Sequence, residues 1–577
     1  MSGLPAALWL LGLFAAAPLL RTSDRYDLTD RLRDALILGV VIPFALGFVH
    51  ALYPAACWAV LAVCIAAAYG RRFISTAAPS RGADMQIPYV MIGALVAVAW
   101  PQLMRPLLDG DSLSYHLPNA ASWVQAHSLW TTATRYWWYP PASELFAAAL
   151  YAVSGPFTLP WCGFAALALL GFRIAAWARE AYAAPPLLAD VIAAATVTAY
   201  PLAIQGGTLQ NDVWLAAFWL ESLWALRASP ASATAMRTLA MTALIKPQGW
   251  ILATIALFAG NARRRLWFAT ASALALWALH DAILWPGAAI APQRAVHGDV
   301  LGSTILAHGA PALAILARVA FAASPFALLA LVAALLGSLV ARRDPRLGWA
   351  ACAAALLFFV LPFSYATSVA QLATGASLRF AAPAIAVGAA IIAYPARRVA
   401  PFATALLLAS TLFGVWYVLT IFWNDGGHLA LVFGAWAFAI ASTTNMARVI
   451  WPNAIAFALA VILAAHVATH HPLDYYDDAL RVNGALPGVY RWIAATHPPA
   501  IGGWGLRLGV VNVLSPSTRT LDLPDADPCV QARRNGVALV AVAESDRSAD
   551  SNAQRLRLAH ACGQTMYADA IAVVTQP

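Results

Sequence analysis

Apolar runs close to bilayer-crossing length recur along most of this 577-residue chain, which makes it a polytopic membrane protein. A crossing helix needs roughly 20 apolar residues, because a rise of about 1.5 Å per residue must span about 30 Å of hydrocarbon. Charge is scarce between and within the runs: 62% of residues are hydrophobic and 11% are charged, against roughly 25% charged in a soluble domain. The first run, residues 4–20, has a length open to a signal peptide. No small-residue cleavage site follows it and arginines do, so it reads as a retained helix.

The formal net charge of +9 is carried almost wholly by arginine, since lysine occurs once, at Lys246. In a membrane protein such a balance reflects the bias of arginine toward cytoplasmic loops. No basic run is interleaved with aromatics, so nucleic acid is set aside as a partner. Of six cysteines, Cys57, Cys64, Cys162 and Cys352 lie in apolar runs and read as small hydrophobes. Cys529 and Cys562 lie in a polar tail; pairing is open to them outside the cytoplasm, but spacing says nothing about geometry.

Arginine-rich short loops set the threading. The markers are Arg21, Arg25, Arg31 and Arg33; Arg71-Arg72; Arg263-Arg264-Arg265; Arg342-Arg343 with Arg346; and Arg397-Arg398, with weaker ones at Arg179, Arg227, Arg237 and Arg448. One path satisfies them all. Helices near 5–20, 35–53, 55–69 and 87–104 lead to an external segment, 105–158, whose apolar stretch 142–153 is too short to span and reads as interfacial. Helices 160–178, 187–203 and 212–226 follow. Arg237 and the Arg263 cluster then lie on one side with about 25 residues between them, too few for two crossings. The expectation is two short half-helices with their turn at Lys246-Pro247-Gln248 covered by protein. Helix 266–285 leads to a second external loop, 286–311, and then come helices 312–340, 347–365, 380–395, 400–421, 429–446 and 449–469.

Beyond Asp474 the chain turns polar. Strand-like runs at 506–514, 537–543 and 570–575 alternate with helical segments at 489–496 and 549–562. The fold class expected is therefore mainly α: a transmembrane helical bundle with a small C-terminal α/β soluble domain. Residues 1–86 are N-terminal membrane helices, 87–470 a membrane core, and 471–577 the surface domain, read as a passive cap or acceptor platform because no glycine-rich phosphate loop follows its strands.

The chemistry concentrates in Asp109-Gly110-Asp111-Ser112-Leu113-Ser114-Tyr115-His116-Leu117-Pro118, directly after a membrane helix. Carboxylates at i and i+2 point the same way in an extended segment. Such a pair suits a hard divalent cation, Mg or Mn, that also takes a phosphate; alternatively one acid accepts a proton from an attacking hydroxyl. Asp-Gly-Asp is also ordinary turn composition. What favours a site is its company: Trp123 and Trp137-Trp138-Tyr139-Pro140-Pro141-Ala142-Ser143-Glu144-Leu145, polar and aromatic groups gathered at a membrane surface in a chain this short of charge.

In this order the motifs resemble the GT-C superfamily of integral membrane glycosyltransferases, which includes protein O-mannosyltransferases, aminoarabinose transferases and oligosaccharyltransferases. Asp109 and Asp111 match its acidic motif in the first external loop, and Tyr139 through Leu145 its Pro-Pro/Glu-Leu element. Asn211-Asp212 matches its second acidic position, Lys246-Pro247-Gln248-Gly249 its lysine-proline turn, and Leu378-Arg379-Phe380 through Pro383 its arginine-aromatic-proline element. The resemblance covers roughly 87–400. It implies a GT-C-like core that binds a polyprenyl-phosphate sugar at the periplasmic face of a bacterial inner membrane and inverts the anomeric centre in one displacement. The acceptor would be a glycan, a lipid or a protein.

On that resemblance Asp109 or Asp111 is the base, Asp109 being favoured because the family puts the catalytic acid first, and the other assists or binds metal. Asp212 contacts acceptor or metal, or else caps the helix that starts near Val213. Lys246 and Arg379 bind the donor phosphate, though Arg379 at a helix end is open to snorkelling. Tyr115, His116 and Glu144 are expected near substrate; His116 also reads as structural and Glu144 as an anchor for the interfacial helix. The Trp137-Trp138-Tyr139 run suits an aromatic belt or sugar stacking. His297, Asp299 and His308 make a weaker metal candidate. The competing classes are a lipid-linked glycan flippase or transporter, which would place its site at the bilayer midplane, and an envelope polysaccharide polymerase or ligase.

Overall fold

The computed structural model describes residues 3–21, 26–74, 88–103, 105–134, 136–284, 304–341, 344–360, 375–422, 476, 488–523, 527–543 and 548–577. The expected helices at 429–446 and 449–469, and His297 and Asp299, lie outside them. Among the described residues, helical stretches covering Pro54–Arg71, Pro156–Tyr182, Arg264–Leu284, Leu306–Ala323 and Ser377–Thr420 are long and apolar enough to cross a bilayer, with shorter apolar helices between them. Phe258, Phe268, Phe321, Phe402 and Leu406 stand exposed on such helices, as lipid-facing side chains of a multi-pass membrane protein would.

At the centre is the helix Asp212–Ala228, buried along almost its whole length. It packs against the helices Trp161–Tyr182, Ala233–Ile245, Pro247–Ala259 and Ala382–Ala396. The half-helix pair expected around Lys246 is Ala233–Ile245 followed by Pro247–Ala259. Lys246 between them is fully extended, and Pro247, which has no N–H to lose, starts the second half. The reversal is tight enough that a Cβ on Gly249 would meet the Thr242 carbonyl oxygen at 2.0 Å. The expected single crossing at 312–340 breaks instead into Gly309–Ala323, Pro325–Leu335 and Gly337–Val340. Pro325 cannot continue the helix before it, and Ser324 caps the next one through Ala327 N.

The arginine markers gather at one end of the bundle through bonds to helix-end carbonyls. Arg71 donates to Leu19 O at 2.6 Å, Arg237 to Leu20 O at 2.7 Å, Arg265 to Ala231 O and Arg397 to Tyr182 O. Arg33, one of the expected arginine markers, is buried. It is 4% exposed and joins an ionic knot between helices: Arg33 to Asp30 at 2.7 Å and to Asp34 at 2.9 Å, Arg173 to Glu221 at 2.6 Å and to Asp30 at 3.0 Å. Charges this deep persist only when paired, so the knot ties the helices Leu28–Phe48, Trp161–Tyr182 and Asp212–Ala228 together. Asp212 lies 16 residues before Ala228 on its helix, so it sits about 24 Å from the arginine end at 1.5 Å per residue.

The C-terminal domain is a five-stranded mixed sheet in the order β2-β1-β3-β5-β4, with β1 Ala500–Trp504, β2 Arg519–Asp522, β3 Ala538–Val542, β4 Gln564–Ala568 and β5 Ala572–Gln576. The strands β2 and β3 run parallel to β1, while β5 is antiparallel to both β3 and β4. The run 506–514, expected as a strand, is the helix Leu508–Leu514. All seven of its residues are buried, and a short run buried on every side has no periodicity to tell strand from helix. Cys529 and Cys562 are paired, with Cα atoms 5.5 Å apart.

Candidate active site

The helix Tyr89–Leu103 ends at the segment that holds both acids. Asp109 and Asp111 do not lie in an extended stretch pointing the same way. The chain coils immediately into one π-helical turn, Ser112–His116, that runs on as the helix Leu117–Ala126. Such turns recur at functional sites because they displace one side chain from the helical face. Asp109 caps it, accepting from Ser112 N at 2.9 Å through Oδ1, with a long bond from Gln210 Nε2 at 3.3 Å. Its other oxygen, Oδ2, is enclosed and has no hydrogen-bond partner among the described residues. Burial pushes the Asp109 carboxyl up; the Ser112 bonds oppose this, and the Asp111 charge adds to it.

Asp111 turns the other way. Its Oδ2 lies 2.6 Å from Arg379 Nη2, and Arg379 Nε is 3.9 Å from Asp212 Oδ2. Asp212 in turn is bonded to Lys246. Acids and cations therefore alternate, Asp111–Arg379–Asp212–Lys246, across parts of the chain more than 250 residues apart. Phe380 lies beneath both cations, with Lys246 Nζ 5.0 Å and Arg379 Cζ 4.9 Å from its ring centre. Arg379 leads the helix Ala382–Ala396 from a short 3-10 turn. It is 9% exposed, so it does not snorkel. Nor is Asp212 the helix cap: Gln205 Oε1 accepts from Val213 N at 3.0 Å instead, which frees the Asp212 carboxylate for Lys246.

A narrow cleft opens against this row. Its polar side is Asp212, Lys246 and Gln248, and its apolar side includes Leu252, Leu357 and Phe358. The Gln248 Oε1 atom is buried and has no partner among the described residues. On the same helices Trp250, Ile251, Leu356 and Val360 face outward and exposed. A polar corner with an apolar wall, on helices whose outer faces are apolar, suits a ligand with a charged head and a lipid tail.

Other expected residues brace the turn and do not line the cleft. His116 and Glu144 are both buried and bonded to each other, Nδ1 to Oε1 at 2.6 Å, and Ser143 Oγ donates to Glu144 Oε2 at 2.8 Å. The helix Ala142–Ser154 that carries Glu144 is enclosed by the helices Leu4–Ala16, Leu28–Phe48 and Leu117–Ala126. Tyr115 keeps partial exposure and meets the His116 ring at a 40° tilt, with ring centres 4.1 Å apart, beside Tyr136 and Tyr139. Trp137 is buried, and Trp138 offers its carbonyl to Trp277 Nε1 at 3.1 Å. This aromatic group is packed into protein beside the acidic turn, where a lipid belt would not be.

The two acids are engaged otherwise than as a metal pair. Asp111 is already neutralised by Arg379, Asp109 keeps one oxygen for Ser112 N, and no cluster of three His, Cys, Asp or Glu side chains occurs among the described residues. A hard cation wants several anionic or carbonyl oxygens at once and is repelled by a guanidinium. Gln210 and Gln248 were not singled out from sequence. The only signal for them was adjacency, one just before Asn211-Asp212 and the other within the Lys-Pro turn.

No protein-family model matches this chain, and no curated protein matches it. Among solved structures it is similar to the crystal structure of ArnT from Cupriavidus metallidurans bound to undecaprenyl phosphate, with a TM-score of 0.43 and 15% identity over 84% of this chain and 97% of that one. It is similar also to ArnT from Cupriavidus metallidurans in the apo state, with a TM-score of 0.41 and the same identity and coverage.

Proposed function

We propose that this chain is a membrane glycosyltransferase that moves a sugar from a polyprenyl-phosphate donor to a glycan, lipid or protein hydroxyl at the periplasmic face of a bacterial inner membrane. The observation that carries the proposal is the row Asp111–Arg379–Asp212–Lys246, one acid from the turn and one from a helix start interleaved with two cations, beside an apolar-walled cleft. The disulfide Cys529–Cys562 supports an oxidising compartment for the C-terminal domain.

The donor phosphate binds toward Arg379 and Lys246, and its isoprenoid tail lies along the apolar wall. An acceptor O–H attacks the anomeric carbon from the face opposite the phosphate. The new C–O bond forms as the bond from the anomeric carbon to the phosphate oxygen breaks, and the electron pair leaves with polyprenyl phosphate. The proton passes to the Asp109 carboxylate, whose raised pKa makes it a stronger acceptor than an ordinary acid. Arg379 and Lys246 meet the charge growing on the leaving phosphate, and that fixed compensation is the largest catalytic term in this scheme. The displacement is single, so the anomeric centre inverts.

The test uses membranes holding the full chain and a radiolabelled polyprenyl-phosphate sugar. Label passing to an acceptor, with inverted linkage, supports transfer. Label that only changes leaflet identifies a flippase and overturns the reading.

A further inference from the structure

We propose that the helix Leu508–Leu514 of the C-terminal domain is a positioning element for the acidic turn, with Gly509 as the residue that sets their distance. The proposal rests on the transferase reading for its kinetic consequence, though not for its geometry.

Helix and turn touch backbone to backbone. A Cβ on Gly509 would lie 2.6 Å from Leu113 O, 2.7 Å from Leu113 Cα and 2.9 Å from Leu113 C. Carbon contacts settle near 3.5–4.0 Å, so any side chain at 509 must drive the two apart by roughly 1 Å. Neither partner has room to yield elsewhere. All seven residues of the helix are buried, and Leu113 is fully buried between Ser112 and the helix Leu117–Ala126. On its other side the turn is tied down by Leu209 N, which donates to Ser112 Oγ at 2.8 Å and so couples it to the segment that presents Asp212.

The domain is also bonded to both helices that frame the site. Gln125, on the helix continuing the turn, donates to Thr518 O at 2.9 Å and to Pro516 O at 3.3 Å. Tyr151, on the helix carrying Glu144, donates to Asn512 O at 3.3 Å. Asp522 N donates to Ala133 O at 2.8 Å. These contacts hold the acidic turn from the domain side, and with it Asp111 against Arg379.

The experiment compares Gly509→Ala and Gln125→Ala with the wild-type full chain, and Val530→Ser, an exposed change in the same domain, serves as control. Two readouts are taken: transfer kinetics, normalised to folded protein, and amide hydrogen exchange over residues 110–117. A displacement of about 1 Å at reacting groups costs on the order of 100-fold. Gly509→Ala is therefore expected to lower kcat by about 10- to 100-fold while donor KM stays within about threefold. It should also speed exchange in the turn and move the acid limb of the rate profile to lower pH, as water reaches Asp109. Gln125→Ala should act in the same direction, more weakly, and decides the matter if Gly509→Ala does not fold. Unchanged kcat together with unchanged exchange in a folded variant overturns the proposal, as does an equal effect from Val530→Ser. If wild type moves no sugar at all, the transferase reading has failed, and exchange in the turn alone decides the positioning: faster exchange sustains it and unchanged exchange overturns it.

Discussion

Replacing Asp109 by Asn separates chemistry from folding better than any other single change at this site. Asparagine keeps the volume and an oxygen to cap Ser112 N, so the π-helical turn should persist. What it removes is a proton acceptor. A positioned base contributes about 100- to 10,000-fold, or about 2.7 to 5.4 kcal/mol of barrier at 1.36 kcal/mol per decade, and transfer should fall by that factor. Stability should move the other way. Burial raises the native pKa of Asp109 above that of the unfolded chain, so the native state holds the proton more tightly. The ionised carboxyl is then a cost to the fold, in full above the raised native pKa and relieved as pH falls toward the ordinary carboxylate range. Asn carries no such cost, so Asp109→Asn at neutral pH should melt no lower than wild type. The assay pairs radiolabel transfer in membranes with thermal denaturation of the purified chain. In wild type the rate should drop, as pH falls, above the range of an exposed carboxylate. Transfer within tenfold of wild type in the folded variant would refute the assignment of the base, and a large loss of thermal stability would show Asp109 to be structural.

Arg379→Ala should raise donor KM by about 10- to 100-fold, the worth of a charge-assisted hydrogen bond at about 1.5 to 3 kcal/mol, measured by donor titration. Asp212→Ala leaves Lys246 buried without its carboxylate, which should cost about 3 to 5 kcal/mol; thermal denaturation reads this, and adding Lys246→Met should restore most of the stability though not the transfer. Because Asp111 is neutralised by a guanidinium, EDTA should leave transfer unchanged in metal-free buffer, and a loss rescued by Mg or Mn would contradict the charge arrangement described here.

What the residues announced, and what they hid, follows from energetics. Lys246 and Arg379 stood out because a cation in an apolar run must have a partner, and the half-helices around Lys246 followed from simple length. The partners themselves were not legible. Asp111 and Arg379 are 268 positions apart, and nothing local links them. Asp109 looked like one member of a metal pair because spacing in sequence says nothing about which partner each side chain takes; here Asp109 takes Ser112 N and Asp111 takes Arg379. Arg33 counted only as a topology marker, since an arginine near a helix start has the same local signature whether it meets water or, as here, Asp30, Asp34 and an incoming helix. The helix Leu508–Leu514 was hidden for the reason that makes it matter: it is covered on every side, so no polar face marks its period.

The alternation Asp111–Arg379–Asp212–Lys246 is neutral as it stands, and that has a consequence for a phosphorylated donor. In a site so removed from water, an unpaired cation would fold poorly or shift its proton, so each waits in the grip of a carboxylate. An incoming phosphate must therefore compete for a cation that is already paired. Arg379 is the looser contact, held closely by Asp111 but only at 3.9 Å by Asp212, and its fork has room to take a phosphate oxygen without leaving Asp111. Lys246, a single point charge bonded to Asp212, has less to offer until charge accumulates on the leaving oxygen. Ground-state binding then falls mainly to Arg379, and Lys246 responds to the developing charge. That division is the one a catalyst needs, since only the second kind of contact lowers the barrier.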